Sequence, residues 1–342
     1  MTIPMDDHDL PVETAQSLAQ HKGDLSLNAY TSLSAQAAAL LGRHKGGTLW
    51  LNGLGALSAE AAESLAAHEG SLSLDGLASL SDEAAAKLAT FAHGLSLDRV
   101  TAISDRAAES LSTHDGSLWL NGLTTLSDRA AAALGRHNGS VWLNGLTTIS
   151  TEAAAGLAHL QGFLSLDGIR SLSSAAAAAL AKQPGDLSLD GLESLPDDVA
   201  AALGHHRGML RLSRVTGLSE SAARGLAQRS RALALNGLTA LPDAIADALA
   251  HHHGLLYLNG VKSLSPTAAA SLARHAGDLY LGGLASLSDD VARELTRHTS
   301  WLYLNGLTSL SPEAAAALLP KSGLTLPERI SAIATPPGSV TP

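Results

Sequence analysis

The stretch LWLNGLTTLSDRAAAALGRHNGS, residues 118–140, contains the whole pattern that decides the fold. Its opening Leu-Trp-Leu alternation is typical of a short strand whose two leucines face a core. The Asn-Gly pair predicts a turn, after which two more leucines return to the core. Ser127 and the aspartate after it predict a helix start, and Ala-Ala-x-x-Leu gives that helix one apolar face. Gly139 is expected to stop the helix by adopting a positive φ.

This unit recurs along the chain of 342 residues, which is longer than the roughly 250–300 residues that one globular core normally holds. The polar residue after each Leu-x-Leu recurs every 23 residues, after a first step of 24 that includes Gly46-Gly47. We call these residues the marker column: Asn28, Asn52, Asp75, Asp98, Asn121, Asn144, Asp167, Asp190, Ser213, Asn236, Asn259, Gly282 and Asn305. Units that cannot bury an apolar face alone must stack on one another, so the period predicts a solenoid.

These residues resemble the leucine-rich repeat family, and most closely its cysteine-containing subtype, whose units run Leu-x-Leu-x-x-Cys-x-x-Ile-Thr-Asp-x-Gly-Leu-x-x-Leu-Ala. Residues 120–134 fill that frame with leucine at the cysteine position, and the resemblance covers roughly residues 10–326. The chain departs from the subtype in having no cysteine, a shorter unit and alanine where bulkier residues are common. The resemblance implies an α/β fold: a right-handed leucine-rich-repeat solenoid with a curved parallel sheet on its concave side and short helices on its convex side.

The chain is expected to divide along the repeat array. We predict an N-terminal half-repeat cap at residues 1–23, thirteen 23-residue units at 24–310, a C-terminal cap at 311–330 and a disordered tail at 331–342 that is rich in Pro, Ser, Thr and Gly. Both caps are short, and the end repeats would otherwise expose their core. End-to-end self-association is therefore a further expectation.

Composition excludes several classes of function. The formal net charge of −10 disfavours nucleic acid as a partner, since nucleic acid requires a dense basic face. Cysteine is absent, which excludes disulfides, a thiol nucleophile and Cys-ligated zinc. No apolar run approaches the roughly 20 residues that span a bilayer, so no membrane partner is predicted. The acidic first ten residues contain no readable secretion signal, and a cytoplasmic location is expected.

The most informative positions lie between the two leucines of each strand and should face away from the core. We call them the strand-centre column: Ser26, Trp50, Ser73, Ser96, Trp119, Trp142, Ser165, Ser188, Arg211, Ala234, Tyr257, Tyr280 and Tyr303. Six of the ten aromatic residues of the chain fall here, and Phe163 and Trp301, two positions before a strand centre, should point the same way. Such an apolar strip usually marks a binding surface, although cross-strand aromatic stacking is the structural alternative.

The marker column lies beside the aromatic residues and varies together with them, since serine accompanies aspartate and an aromatic residue accompanies asparagine. Stacked asparagines are expected to form side-chain ladders, whereas neighbouring aspartates repel unless water, a cation or a partner intervenes. The predicted partner-binding residues are Trp50, Trp119, Trp142, Arg211, Tyr257, Tyr280, Trp301, Tyr303, Asp75, Asp98, Asp167 and Asp190. Acidic residues flanked by aromatic ones suit cationic ligands such as Lys/Arg peptides, and aromatic platforms beside amides equally suit sugars.

We therefore predict a non-enzymatic scaffold that recognises a protein or peptide, including a basic one, on its concave face. A carbohydrate-binding module and a filament-forming structural protein are the alternatives. No cofactor and no catalytic residue are predicted, because nothing distinguishes one aspartate of a pair from its neighbour. The sequence contains no Gly-rich phosphate loop, no Gly-x-Ser-x-Gly elbow and no His-Glu-x-x-His helix.

Histidine also recurs at one position near the helix end. The nine members are His21, His44, His68, His114, His137, His206, His252, His275 and His298. A stack of imidazoles could bind Zn²⁺ or Cu²⁺. We favour the simpler interpretation that each histidine complements the helix dipole and the last helical carbonyls, and predict no metal site.

Overall fold

The computed structural model describes residues 9–228 and 231–333, in which helices and strands alternate without exception. The strands are β1 Leu25–Ser26, β2 Lys45–Trp50, β3 Glu69–Ser73, β4 Leu95–Ser96, β5 Leu118–Trp119, β6 Val141–Trp142, β7 Leu164–Ser165, β8 Leu187–Ser188, β9 Leu210–Arg211, β10 Leu233–Ala234, β11 Leu256–Tyr257, β12 Leu279–Tyr280, β13 Leu302–Tyr303 and β14 Leu324–Thr325. The helices are α1 Val12–Leu18, α2 Ala35–Leu41, α3 Ala59–Leu65, α4 Asp82–Leu88, α5 Asp105–Leu111, α6 Asp128–Leu134, α7 Thr151–Leu157, α8 Ser174–Leu180, α9 Asp197–Leu203, α10 Glu220–Ala227, α11 Asp243–Leu249, α12 Pro266–Leu272, α13 Asp289–Leu295, α14 Pro312–Leu318 and α15 Glu328–Ile333.

The sheet is parallel, and its strand order follows the chain from β1 to β14. The chain divides into two compact units, an N-terminal unit of Met1–Leu172 with Gln183–Leu187 and a C-terminal unit of Ser173–Lys182 with Ser188–Pro342. Equivalent residues of successive repeats are paired in each unit, as Leu72 is with Leu95 and Leu256 is with Leu279. The predicted succession of short parallel strands and short helices is confirmed.

The core consists almost entirely of leucine and alanine. The strand leucines Leu120 and Leu143 have no exposed surface, and neither do the helix alanines Ala130 and Ala131. Alanine keeps these helices thin, so that neighbouring helices pack closely. Phe91 is the one aromatic residue that is fully buried among the described residues.

Serine begins the helices as predicted. In eleven of the thirteen helices α2–α14 a serine precedes the first helical residue, and its Oγ accepts a hydrogen bond from the backbone amide three residues on. Pro196 and Pro242 take this place before α9 and α11. The same hydroxyl often donates to the aspartate that starts the preceding helix, as Ser150 Oγ does to Asp128 Oδ1 at 2.5 Å. One hydroxyl therefore caps its own helix and joins it to the helix before.

The expected role of Gly139 is wrong. Helix α6 ends at Leu134, and its C-cap residue is Gly135, which has right-handed helical geometry with φ −62°. Gly139 is not among the glycines with positive φ. A Cβ built on it would lie 1.8 Å from the carbonyl oxygen of Gly116 in the preceding repeat. Glycine is needed here because the backbones of successive repeats touch, and not because the helix must stop.

The ends of the array carry short elements. Helix α1 lies in the predicted N-terminal cap, whose residues 1–8 are outside the described part. Helix α15 runs to Ile333, three residues into the predicted tail, and residues 334–342 are again outside the described part. Within the described ranges, every helix is too short or too polar to cross a bilayer.

Candidate functional site

The strand-centre side chains lie on the face of the sheet opposite to the leucine core, which we call the open face. In the N-terminal unit the rings of Trp119 and Trp142 stack with centroids 4.7 Å apart. Phe163 makes a T-shaped contact with Trp142, with ring centroids 5.5 Å apart, so it does point to the open face. Trp119 and Trp142 are half-buried, and each leaves part of its indole accessible.

A shallow groove of about 360 Å³ lies on the same face of the N-terminal unit, between Trp50 and Trp119. The two strands between these tryptophans have the small side chains of Ser73 and Ser96 at their centres. The surface is therefore recessed between the two indole rings. Asp75 and Asp98 also line the groove. The groove therefore brings together Trp50, Asp75, Asp98 and Trp119, four of the residues that the sequence predicted as partner-binding.

In the C-terminal unit the open face carries a tyrosine stack. The rings of Tyr257 and Tyr280, and those of Tyr280 and Tyr303, lie with centroids 4.2 Å apart. Trp301 extends the row beside Tyr303 at 6.2 Å and is 51% exposed. Burial, together with hydrogen bonds to the hydroxyls of Tyr303 and Tyr257, raises the pKa of Tyr280.

Arg211 lies on the open face of the C-terminal unit but outside this stack. It is exposed, and it is paired in register with Ala234, which is 3% exposed. Ala234 is in turn paired with Tyr257. The strand of Ala234 therefore separates Arg211 from Tyr257, the first ring of the stack. The strand-centre column is thus not uniformly accessible, since Ser73, Ser165 and Ser188 are also buried.

The marker column forms a ladder of side chain to backbone hydrogen bonds. Asp75 Oδ1 accepts from the amide of Asp98 at 2.9 Å, and Asp98 Oδ1 accepts from the amide of Asn121 at 3.0 Å. In the C-terminal unit Asp190 Oδ1 accepts from the amide of Ser213 at 2.5 Å. Asp167 donates its own amide to Asn144 Oδ1 at 2.9 Å. The predicted side-chain ladder runs between side chain and backbone, since in each of these four bonds a side-chain oxygen accepts from a backbone amide of the next repeat.

This ladder explains why serine accompanies aspartate. The hydroxyl of Ser73 lies 2.8 Å from Asp75 Oδ2, and the hydroxyl of Ser165 lies 3.0 Å from Asp167 Oδ2. Where the strand centre is aromatic, no serine hydroxyl is present, and asparagine stands at the marker position in five of the six cases. The Ser73 hydroxyl therefore lies within hydrogen-bond distance of Asp75 Oδ2. From the sequence, water, a cation or a partner was expected to offset this charge.

The histidine column is not a row of helix caps, and this part of the sequence interpretation is wrong. Eight of its nine members are buried, with at most 2% of their surface exposed. His114 and His137 stack at 5.7 Å in the N-terminal unit, as do His252 and His275 in the C-terminal unit. In His68, His114, His137 and His275 a ring nitrogen makes a hydrogen bond to a carbonyl oxygen of the preceding repeat, as His137 Nε2 does with Gly116 at 2.8 Å.

Burial changes the protonation of this column. It lowers the pKa of His114 and of His298 to about 4, and the neighbouring imidazoles His137 and His275 contribute to the two shifts. Burial also lowers the pKa of His44, His137 and His275. These five imidazoles are therefore neutral at pH 7 and act as polar members of the core.

We expect no specific zinc binding by the histidine column at micromolar concentration. Eight of its nine imidazoles are buried, and Nε2 of His275 makes a hydrogen bond with the carbonyl oxygen of Gly254 at 2.9 Å. In the described ranges, no group of three or more His, Asp or Glu side chains is placed to hold a metal ion. Isothermal titration with Zn²⁺ tests this, with His275→Gln as the comparison. A saturable, stoichiometric site that this substitution removes would contradict the prediction.

Several solved structures are similar to this chain. A chain of the glycosylated Toll–Spatzle complex of Drosophila has a TM-score of 0.56 and 17% identity, over 86% of this chain and 40% of that chain. A chain of the TLR13–ssRNA13 complex has a TM-score of 0.55 and 18% identity, over 91% of this chain and 56% of that chain. An LRR protein of Leptospira interrogans has a TM-score of 0.39 and 18% identity, over 92% of this chain and 98% of that chain. The chain thus spans about 40% of the chain that it matches in the Toll–Spatzle complex.

At such identities the likeness shows the fold alone. A parallel sheet of fourteen strands that alternates with short helices is the leucine-rich-repeat solenoid that the sequence pattern predicted. No protein-family model matches the sequence, and no curated protein matches it either. The cysteine-containing subtype remains a resemblance in the repeat residues.

Proposed function

We propose that this protein is a non-enzymatic binding protein that recognises a protein or peptide through its open face. The observation that carries the proposal is the placement of eight of the ten aromatic residues on that face, while Phe91 is the one aromatic residue that the described core buries fully. Tyrosine and tryptophan supply large, rigid contact area with a polar atom, and they dominate measured interface hot spots. In this proposal residues 24–310 form the binding array and residues 1–23 and 311–330 its caps.

Charge favours a protein or peptide over RNA as the partner. The similar solved structures include a complex with Spatzle and a complex with ssRNA13, so the likeness in fold does not choose between the two classes. This chain has a net charge of −10, and carboxylates lie beside its aromatic residues. Such a face repels phosphates and attracts basic segments.

The proposal includes no catalysis. Asp75 and Asp98 have the same place in successive repeats, and each uses Oδ1 to hold the next backbone amide. These two carboxylates serve the ladder, which supports a structural role for them beside a binding role.

We expect Trp301→Ser to weaken binding of a selected peptide by about 1–3 kcal/mol while it leaves the unfolding midpoint almost unchanged. Trp301 is the suitable position because it is 51% exposed. Tyr280 is stacked on both sides, so its replacement would remove stability as well as contact area. Peptides are selected by phage display on the whole protein and their affinities measured by titration.

The control is Leu319→Ser, which removes a similarly exposed apolar side chain from the end of α14. It should leave peptide binding unchanged. If no peptide is enriched while a glycan array gives binding that depends on Trp301, the carbohydrate alternative replaces the proposal.

A further inference from the structure

We infer that the groove between Trp50 and Trp119 binds an arginine side chain of the partner. This inference rests on the proposed function and adds the chemistry of one contact. The groove volume of about 360 Å³ falls in the range of small-ligand pockets. Its two tryptophans belong to β2 and β5, and the strand centres between them are serines.

Trp119 is held in place as one side of this groove. On one side its ring stacks against Trp142 at 4.7 Å. On the other side it leans over Gly94, where a Cβ would come within 2.9 Å of Trp119 Cζ3. Because Gly94 has no side chain, the indole extends over β4 toward the groove. The aromatic surface is therefore positioned before any ligand arrives.

The groove carries two negative charges and no matching cation. Its lining contains Asp75 and Asp98 but neither lysine nor arginine. Asp75 Oδ1 accepts from the Ser96 hydroxyl and the Asp98 amide. Asp75 Oδ2 lies 2.8 Å from the Ser73 hydroxyl, which is also 2.6 Å from Asn52 Oδ1. Asp98 differs, since its Oδ1 accepts from Asn121 but its Oδ2 accepts no hydrogen bond from the described residues. One carboxylate oxygen of a residue that lines the groove together with Trp119 thus remains available.

Arginine fits these features better than other side chains. Its guanidinium is planar, stacks on indole and donates several hydrogen bonds in its own plane. It could lie against the tryptophan and donate to the free Asp98 oxygen in the same position. A lysine would make the charge contact without the planar stacking, and a neutral sugar would leave the charge unmatched.

The experiment follows the indole N–H resonances of the whole protein by NMR, each assigned from a Trp→Phe variant. The probes are N-acetyl-arginine-amide, its neutral isostere N-acetyl-citrulline-amide and methyl glucoside. We expect the arginine probe to shift the Trp50 and Trp119 resonances saturably and to leave Trp301 unchanged. The citrulline probe should bind about tenfold more weakly, because it lacks the charge.

Two variants test the residues that carry the inference. Asp98→Asn should weaken the arginine probe about tenfold, and asparagine already holds the same ladder position at Asn121. Its control, Glu83→Gln, removes the same charge from the first turn of α4. Gly94→Ala should displace the far end of the Trp119 ring and weaken the probe about fivefold. Its control is Gly55→Ala, where a Cβ would meet nothing within 4 Å.

The outcomes separate this inference from the proposed function. Equal responses to the arginine and citrulline probes, shifts from the glucoside alone, or no saturable shift at Trp50 and Trp119 would each overturn the arginine site. If peptides selected on the protein still depend on Trp301, the proposed function stands after that failure. If those peptides are absent too, both fail.

Discussion

Lowering the pH from 7 to 4 is expected to lower the thermal unfolding midpoint by about 10 °C or more, because unfolding releases buried neutral histidines that then take up protons. The pKa of His114 and of His298 is lowered to about 4 by burial, whereas an unfolded histidine has a pKa near 6.5. Between those values the unfolded chain binds more protons than the folded one. The stability contributed by these groups is therefore complete above pH 6.5 and is lost as the pH falls toward 4.

The chain itself supplies the control for this prediction. Gln183 occupies the histidine position of its repeat and donates to the carbonyl oxygens of Leu160 and Gly162 at 3.1 and 2.7 Å. The double variant His114→Gln/His137→Gln should therefore keep hydrogen bonds to the neighbouring carbonyls and lose part of the pH dependence. His159→Gln changes an exposed histidine and should leave the pH dependence of the unfolding midpoint unchanged.

The measurement is the unfolding midpoint by circular dichroism at pH 4 to 8 at constant ionic strength. Carboxylates in general also take up protons toward pH 4. The charge of Asp115 partly opposes the lowered pKa of His114. The double variant retains the carboxylates, so the difference between its profile and that of the native protein isolates the two histidines. Parallel profiles would show that the histidine column does not cause acid unfolding.

Gly139→Ala is expected to lower the free energy of unfolding by about 2–3 kcal/mol. The added Cβ would lie 1.8 Å from the Gly116 carbonyl oxygen, and backbone, unlike the end of a long side chain, cannot move aside cheaply. The strand register would have to open locally, which also disturbs the contact of His137 with the same carbonyl. Urea unfolding measures the loss.

Gly55→Ala serves as the control because open space surrounds that position. It should change the free energy of unfolding by less than about 1 kcal/mol. If Gly139→Ala lowers the free energy of unfolding by no more than Gly55→Ala does, the close approach of the two backbones does not limit the stacking of repeats.

Parts of the candidate site could be predicted because they follow from local periodicity. Strand alternation alone places Trp119 and Tyr280 on the open face, and both lie there. Serine before a run of alanines predicts a helix start, and Ser127 does cap α6. Each of these inferences needs only the sequence of one repeat, because the strand and the helix start are built in the same way in successive repeats.

The remaining features depend on what the next repeat places nearby. The groove beside Trp119 exists because Gly94, one strand away, leaves room for the indole. Asp75 looked like a charge in need of a partner until the hydroxyls and the amide around it were placed. A signal was present in the regular pairing of serine with aspartate, but it could not identify the hydrogen bond behind it.

By itself the sequence determined the period, the alternation of strand and helix, the leucine and alanine core and the face that carries the aromatic residues. Those features depend on residue type and spacing along the chain, which the sequence contains in full. Only the tertiary structure decided that the histidines are buried and neutral and that Gly139 serves stacking. It also placed Trp119 over Gly94. The physical reason is that burial, pKa and close contact depend on atoms 21 to 24 residues away, which stacking brings next to one another.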